Sequence, residues 1–190
     1  MGTIVVSQFV SVDGVIEDPV GIESLGRGAW TSQSDSGADG AAFKLAEIMS
    51  AEAMLFGRVT YEGYAPAWSV REGEYADRIN ALPKYVVSTT LAEAMWANTA
   101  VIAGDVIAAV AALKERTGGE ILIHGSATLV DALLAHDLVD EWRLMVFPVV
   151  VGAGKRCFGD PGSARPLRLV ESRAVGDGVA ILVYRPAGSP

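Results

Sequence analysis

Short apolar runs alternate along the chain with segments whose apolar residues recur at helical spacing. The runs at 3–12, 53–56, 84–87, 99–103 and 121–124 predict strands buried on both faces, because they show little polar alternation. The segments at 41–51, 61–64, 75–82, 106–116 and 127–134 predict helices, and Pro66 is expected to end the second of these. The pattern therefore predicts an α/β fold with a mostly parallel central sheet flanked by helices.

The C-terminal part of the chain has a different pattern. A long apolar run predicts a strand over 142–151, and strands at 168–174 and 179–185 flank Gly176-Asp177-Gly178, which is a strong hairpin signal. The predicted sheet therefore has a C-terminal antiparallel hairpin at its edge, and we expect residues 1–190 to form a single domain.

The segment at 17–40 is dense in Gly, Ser and Asp and carries a lone aromatic residue, Trp30. A loop of this length inside a compact domain is usually functional or mobile. We therefore expect it to form a lid or a wall of the substrate site.

Charge and composition exclude several classes of function. The formal net charge is −8, with no basic cluster to neutralise phosphates, so no nucleic-acid partner is expected. One cysteine, Cys157, and two histidines cannot build a Cys/His metal site, and no metal is expected. No apolar run reaches the ~20 residues of a membrane span, and the N-terminus lacks the basic region of a signal peptide. We expect a soluble, cytoplasmic protein.

Three predicted strands end in small or hydroxylated residues, at Gly57, Ser88 and Gly125. Parallel strands end at one edge of the sheet, where ligands of open α/β sheets bind. A helix begins directly after Gly57 and another after Gly125, and helix N-termini favour phosphate groups. Taken singly, each glycine is explained by a tight turn; the set favours a nucleotide ligand.

Other candidate residues have simpler interpretations. His124 ends a buried strand and is expected to be a hydrogen-bonded structural residue rather than an acid or base. Asp39 lies near the start of a predicted helix, where it is either a proton donor or anchor for a substrate or a residue that stabilises the helix start. Gly152-Ala153-Gly154 lacks the third glycine of a dinucleotide fingerprint.

Four segments carry recognisable motifs, namely MLFGRVTYE at 54–62, VVSTTL at 86–91, HGSATL at 124–129 and PVVVGAG at 148–154. They resemble the dihydrofolate reductase-like superfamily, in the branch that contains the riboflavin-biosynthesis reductase (RibD C-terminal) domain. The opening SVDG at 11–14 fits the same branch. These segments stand in the expected order along nearly the whole chain.

The resemblance implies an NADPH-dependent reductase, and we expect it to transfer a hydride to a small heteroaromatic or carbonyl substrate, similar to a pterin or a riboflavin precursor. It implies cofactor contacts from four turns: Gly57, Arg58 and Thr60; Ser88, Thr89 and Thr90; Gly104; and Gly125, Ser126, Ala127, Thr128 and Leu129. It also implies that Gln8, Ile16, Trp30, Phe43 and Phe147 line the nicotinamide edge and the substrate pocket, with Asp39 as a candidate catalytic proton donor.

Two questions stay open at this point. Many relatives carry Arg or Lys where this chain has Thr89, so NADH is an alternative to NADPH. A protein that binds a nucleotide without turnover, as a sensor or interaction module, is the second functional hypothesis, and a flavin-dependent reductase is the third. Relatives often form dimers, so a homodimer is also expected.

Overall fold

Eight strands form one sheet in the computed structural model, which describes residues 1–22, 28–159 and 163–188. The strands are β1 Thr3–Ser11, β2 Ala51–Gly57, β3 Lys84–Val87, β4 Thr99–Ile102, β5 Glu120–His124, β6 Glu141–Phe147, β7 Leu167–Val175 and β8 Val179–Pro186. Their order is β4-β3-β2-β5-β1-β6-β8-β7. The first six in this order are parallel, and β8 pairs antiparallel with both β6 and β7. The predicted fold class is confirmed.

Helices cover both faces of the parallel strands. They are α1 Gly37–Ser50, α2 Arg58–Trp68, α3 Glu74–Ala81, α4 Val106–Arg116 and α5 Ala127–Ala135, with a short 3-10 helix at Trp30–Gln33. On β5, Ile121 and Ile123 pack in the same hydrophobic cluster as residues of α4 and α5. Leu122, between them, packs on the opposite face in a cluster with residues of α1, α2 and α3. Burial on both faces explains why the strands read as continuous apolar runs.

Within the described ranges, no helix combines the length and the apolar character that crossing a lipid bilayer would require.

Proline accounts for two differences from the sequence prediction. Pro66 lies inside α2, which continues to Trp68. Pro66 removes the hydrogen bond that its N–H would have donated to the Glu62 carbonyl, and the helix ends two residues later. Conversely, β6 ends at Phe147 and not at Val151 as predicted, since Pro148 cannot donate to a sheet ladder.

The predicted long loop is partly helical. It contains the 3-10 helix, and α1 begins at Gly37, four residues before its predicted start. Asp35 accepts a hydrogen bond from the Gly37 N–H at 2.8 Å, which supports the turn into the helix. Residues 23–27 of this segment lie outside the described residues.

Asp13, in the turn after β1, holds the segment that follows β6. Its Oδ1 accepts from the Ser11 hydroxyl at 2.6 Å and from the Val151 N–H at 3.1 Å, and its Oδ2 accepts from the Gly152 N–H at 2.8 Å. These hydrogen bonds, with the Ser11 hydroxyl contributing most, lower the pKa of Asp13 from 3.8 to about 2. The sequence motifs at 11–14 and 148–154 therefore form one structural unit.

We expect Asp13→Asn to lower the free energy of unfolding at neutral pH, with a difference from wild type that disappears in acid. Because the folded-state pKa is lowered, the carboxylate contributes stability above pH 3.8 and loses it as the pH falls towards about 2. Urea unfolding across this pH range measures the effect, and Glu115→Gln, on the exposed side of α4, controls for the lost charge. A difference that persists unchanged at pH 2 would contradict the assignment.

Candidate functional site

The turns that follow β2 and β5 are joined by two hydrogen bonds, and this contact is called the interlock below. The Gly57 N–H donates to the Ser126 hydroxyl at 2.7 Å, and the Ser126 N–H donates to the Thr60 hydroxyl at 3.1 Å. A Cβ at Gly57 would lie 3.2 Å from the Ser126 Oγ, and one at Gly125 would lie 3.1 Å from the Thr60 side chain. A Cβ at either glycine would therefore fit only if the neighbouring turn moved slightly.

Ser126 is held in an unusual backbone conformation by this interlock. Its φ is 66° and its ψ is 53°, in the left-handed region that side chains other than Gly and Asn rarely adopt. Its hydroxyl is bonded to Gly57 and does not cap α5, and the N-cap residue of α2 is Gly57, which has no side chain. Two adjacent helix N-termini consequently present first-turn N–H groups and positive dipole ends at one edge of the sheet.

A cavity of about 610 Å³ opens beside this interlock. Its walls come from β1, the loop after β1, α1, the β2–α2 turn, the start of α3, and the β5–α5 turn. Nine of the residues predicted to bind cofactor or substrate line it: Gln8, Ile16, Gly57, Thr60, Gly125, Ser126, Ala127, Thr128 and Leu129. Gln8 also joins two of these elements, since its side-chain amide donates to the Gly125 carbonyl at 2.9 Å.

The other predicted cofactor residues continue the same sheet edge away from the cavity. Gly104 follows β4, and Ser88 to Thr90 follow β3, so the four turns stand in the strand order β4-β3-β2-β5. At the usual strand spacing this row spans roughly 14 Å. The Ser88 hydroxyl accepts from the Thr90 and Leu91 N–H groups at 3.1 and 2.9 Å, whereas the side chains of Thr89 and Thr90 are exposed. Cofactor contact at these residues stays a prediction.

Arg58 does not line the cavity. It is exposed at the first position of α2, and its guanidinium donates to the Glu62 carboxylate at 2.7 Å. Both side chains are almost half exposed, with fractions of 44% and 47%, so this pair is of the weak surface kind.

Three predicted substrate residues pack behind the cavity and do not line it. Trp30, Phe43 and Phe147 belong to one hydrophobic cluster, in which Trp30 and Phe147 meet edge to face at 6.0 Å. Phe147 instead lines a smaller groove beside the hydroxyl groups of the 31–36 segment. Asp39 is exposed in the first turn of α1 and lies outside the cavity wall. Their proposed roles stay predictions.

The sequence analysis named His124 but missed the polar cluster around it. Ser7, Lys44, Tyr64 and His124 line the cavity, and the buried Glu47 contacts Ser7 and Lys44 from outside the lining. The Lys44 ammonium lies 2.6 Å from the Glu47 carboxylate, donates to the Ser7 hydroxyl at 2.8 Å and lies 3.4 Å from Nε2 of His124. Ser7 also donates to Glu47 at 3.0 Å. The signal was present in part, because Ser7 and Gln8 interrupt an otherwise apolar central strand.

His124 is neutral and has a defined tautomer in this cluster. Burial, together with the positive charge of Lys44, lowers its pKa well below 6.5. An ammonium group only donates hydrogen bonds, so Nε2 accepts from Lys44 and the ring proton stays on Nδ1. Nδ1 then donates towards the Tyr64 hydroxyl oxygen, 3.5 Å away.

Aromatic side chains from α2 and α3 form a further part of the wall. Trp68 and Tyr75 lie with ring centroids 4.9 Å apart and ring planes tilted by 36°, and the Arg71 guanidinium covers the Trp68 ring at 4.6 Å. Tyr64 lies beside Trp68 on the same helix, with ring centroids 6.4 Å apart. Burial raises the pKa of Tyr75, which keeps its hydroxyl protonated. This surface suits a planar ring.

Comparisons with known proteins agree with this architecture. Residues 2–181 match the profile of the RibD C-terminal domain. The uncharacterized protein YyaP of Bacillus subtilis (strain 168) is 30% identical over 139 residues, which cover 70% of this chain and 73% of YyaP. The uncharacterized protein YwjB of the same organism is 35% identical over 75 residues, 40% of this chain and 43% of YwjB.

Two solved structures share the fold over 97% of this chain. One is a protein assigned to riboflavin biosynthesis from Shewanella sp. PV-4, with a TM-score of 0.78, 21% identity and 98% of its chain covered. The other is dihydrofolate reductase from Enterococcus faecalis complexed with NADP(H) and RAB-propyl, with a TM-score of 0.62, 12% identity and 96% of its chain covered. At these identities the likeness concerns the fold, which is dihydrofolate reductase-like.

Replacing Ser126 by Gly and by Ala separates the contribution of its hydroxyl from that of its left-handed backbone conformation. Both changes remove the hydroxyl that accepts from Gly57, which we expect to cost about 1 kcal/mol. Alanine must also adopt the left-handed conformation, so Ser126→Ala is expected to be less stable than Ser126→Gly by about 1 kcal/mol. Urea unfolding of the pair measures the difference, and an alanine variant as stable as the glycine variant would contradict the strained backbone.

Proposed function

The chain belongs to the RibD C-terminal domain family, and from this premise we propose that it is an NAD(P)H-dependent reductase. The proposed reaction transfers a hydride from the nicotinamide cofactor to a small heteroaromatic or carbonyl substrate. The observation that carries the proposal is the interlock of the β2 and β5 turns, which brings two uncapped helix N-termini to the wall of one cavity.

The residues present fit a dinucleotide. Gly57 and Gly125 allow the two turns to approach each other, and the first-turn N–H groups of α2 and α5 beside them are suited to bind phosphate oxygens. Thr128 lines the cavity from the first turn of α5, and its hydroxyl is available for the same purpose. Gly104 and the turn at 88–90 extend this edge towards the adenosine end of the cofactor.

The protein would contribute mainly by positioning. Bound NAD(P)H supplies the hydride chemistry, which needs the donor and acceptor carbons held about 3.5 Å apart. Gln8, Ile16 and Leu129 would hold the nicotinamide end, since they line the cavity next to the Gly125 turn. The wall formed by Tyr64, Trp68 and Tyr75 would hold the substrate ring and exclude water from it.

The geometry is compatible with both NADPH and NADH. Arg58 is the cationic residue that the resemblance assigns to the cofactor phosphates, and its charge is already paired with Glu62. At the position proposed to meet the 2′-phosphate, Thr89 offers a neutral hydroxyl, which binds a phosphate more weakly than a positive charge would. We therefore propose that NADH binds within about tenfold of the affinity for NADPH.

Calorimetric titration tests the proposal directly. We expect wild-type protein to bind NADPH with micromolar affinity. Thr128→Phe is expected to weaken binding by tenfold or more, because a ring at the first turn of α5 would occupy the space against its N–H groups. Ala112→Phe is the matched control, since it adds the same ring to an exposed position on α4 outside the cavity.

Turnover is then measured as oxidation of the cofactor with pterins, pyrimidine ribityl compounds, flavins and quinones as acceptors. Binding followed by oxidation supports a reductase. Binding without oxidation across the panel favours the nucleotide-binding sensor instead. Failure to bind either NADPH or NADH would overturn the proposal, because the glycines would then serve only the packing of the two turns.

A further inference from the structure

We propose that Lys44 is the proton donor of this site, a role that rests on the reductase function proposed above. The group that the sequence suggested, Asp39, is exposed at the start of α1 and outside the cavity wall. Lys44 lies further along the same helix, lines the cavity, and has a side chain that is 17% exposed.

The ammonium of Lys44 lies at the part of the sheet where the cofactor turn begins. It contacts Ser7 of β1 and His124 of β5, which are paired in register in the parallel sheet. Gly125, the first residue of the interlocked turn, follows His124 directly. A substrate held against the aromatic wall and the Gly125 turn would therefore also reach Lys44, since all of these residues line one cavity.

Neighbouring groups hold Lys44 in a position to donate. Glu47 is 2% exposed and forms the ion pair, while Ser7 accepts a second hydrogen bond. The third contact, to Nε2 of His124, is the longest at 3.4 Å, so this N–H is the one that a substrate oxygen or nitrogen would take over. The Oε1 atom of Glu47 has no hydrogen-bond partner among the described residues, which leaves the ion pair as the main restraint on this buried carboxylate.

Two other polar groups near Lys44, on His124 and Tyr75, are less suited to give a proton. His124 is neutral at pH 7 and already donates towards Tyr64. Tyr75 has a raised pKa because of burial, which makes its hydroxyl a weaker acid than an ordinary tyrosine. The ring of Phe9 packs against the Lys44 ammonium at 5.2 Å and is apolar.

The step balances without a further reagent. A hydride from NAD(P)H, which would be oxidised to NAD(P)+, would add to the carbon of a C=N or C=O bond and leave negative charge on the nitrogen or oxygen. Lys44 Nζ would give that atom a proton, so that an N–H bond of the ammonium breaks and a new N–H or O–H bond forms. Lys44 would be left as a neutral amine and would regain its proton from the acid pool of the solvent, so one solvent proton is consumed in each turnover.

Two substitutions of Lys44 separate its charge from its proton. Lys44→Arg keeps a positive charge next to Glu47, but a guanidinium does not give up its proton in proteins. Lys44→Met keeps much of the length and removes the charge. Arg168→Met removes an exposed cation from the edge strand β7 and serves as the control. The unfolding midpoint of each variant shows that it is folded.

The first readout needs no cofactor. 4-Nitrophenol is a planar ring whose oxygen carries a full negative charge when ionised, and its phenolate is coloured. We expect wild-type protein and Arg168→Met to bind the phenolate, and Lys44→Met to bind it at least tenfold more weakly. Equal affinity of Lys44→Met and wild type would overturn the inference, because no positive charge of Lys44 would then face a ligand.

The second readout is oxidation of NADPH with an acceptor that wild type reduces. We expect both Lys44→Arg and Lys44→Met to slow it by ~100-fold, while their calorimetric affinity for NADPH stays within threefold of wild type. Wild-type rates in Lys44→Arg would overturn the proton donor alone. Absence of oxidation by wild type itself would overturn the proton donor together with the reductase proposal, so the two failures are distinguishable.

Discussion

The reciprocal contact between the turns after β2 and β5 is the constraint on which the candidate site depends. Each turn supplies one hydrogen bond to the other, between Gly57 and Ser126 and between Ser126 and Thr60. Neither turn has room for a Cβ on its glycine without moving the other. The left-handed Ser126 is tolerated because it is held from two sides, as expected for strained residues at functional sites. The part of the cavity wall at these turns is thus built mainly from backbone, at the carboxyl ends of two central strands.

That backbone character explains how much the sequence could predict. Strands buried on both faces leave continuous apolar runs, and β3 and α4 were predicted with the bounds that the structure shows. The glycines of the two turns were also visible, since a strand that passes directly into a helix needs small residues there. The end of β6 was predicted wrongly, because the run of valines at 149–151 resembles a strand, and its departure from the sheet depends on the distant carboxylate of Asp13.

Side-chain chemistry was harder to predict, because it depends on residues from several elements. Lys44 lies in an amphipathic helix, and a lysine in such a helix normally indicates the face exposed to solvent. It faces the cavity only because α1 packs where Ser7 and His124 can accept or share its hydrogen bonds. Lys84 shows the same limit elsewhere, since it is only 1% exposed and donates to three backbone carbonyls near the end of α3. Burial there lowers the pKa of Lys84 from 10.5 to about 8. Nothing local in the sequence distinguishes such lysines from exposed ones.

The cavity wall therefore has two parts that depend on different features of the sequence. One is the backbone of the turns after β2 and β5, and the other is the set of polar and aromatic side chains around Lys44. Phosphates bound by N–H groups and helix dipoles require a backbone shape, which many sequences can provide as long as the glycines remain. A substrate bound by Lys44, His124 and an aromatic wall requires particular side chains, and each of these can change without disturbing the turns. A solved structure with 21% identity can consequently share the fold of this chain without indicating which substrate this chain would bind. Under the reductase proposal, the acceptor has to be sought from the chemistry of the side-chain part of the cavity wall, where a planar ring and a hydrogen-bond acceptor facing Lys44 are the features that the cavity is suited to recognise.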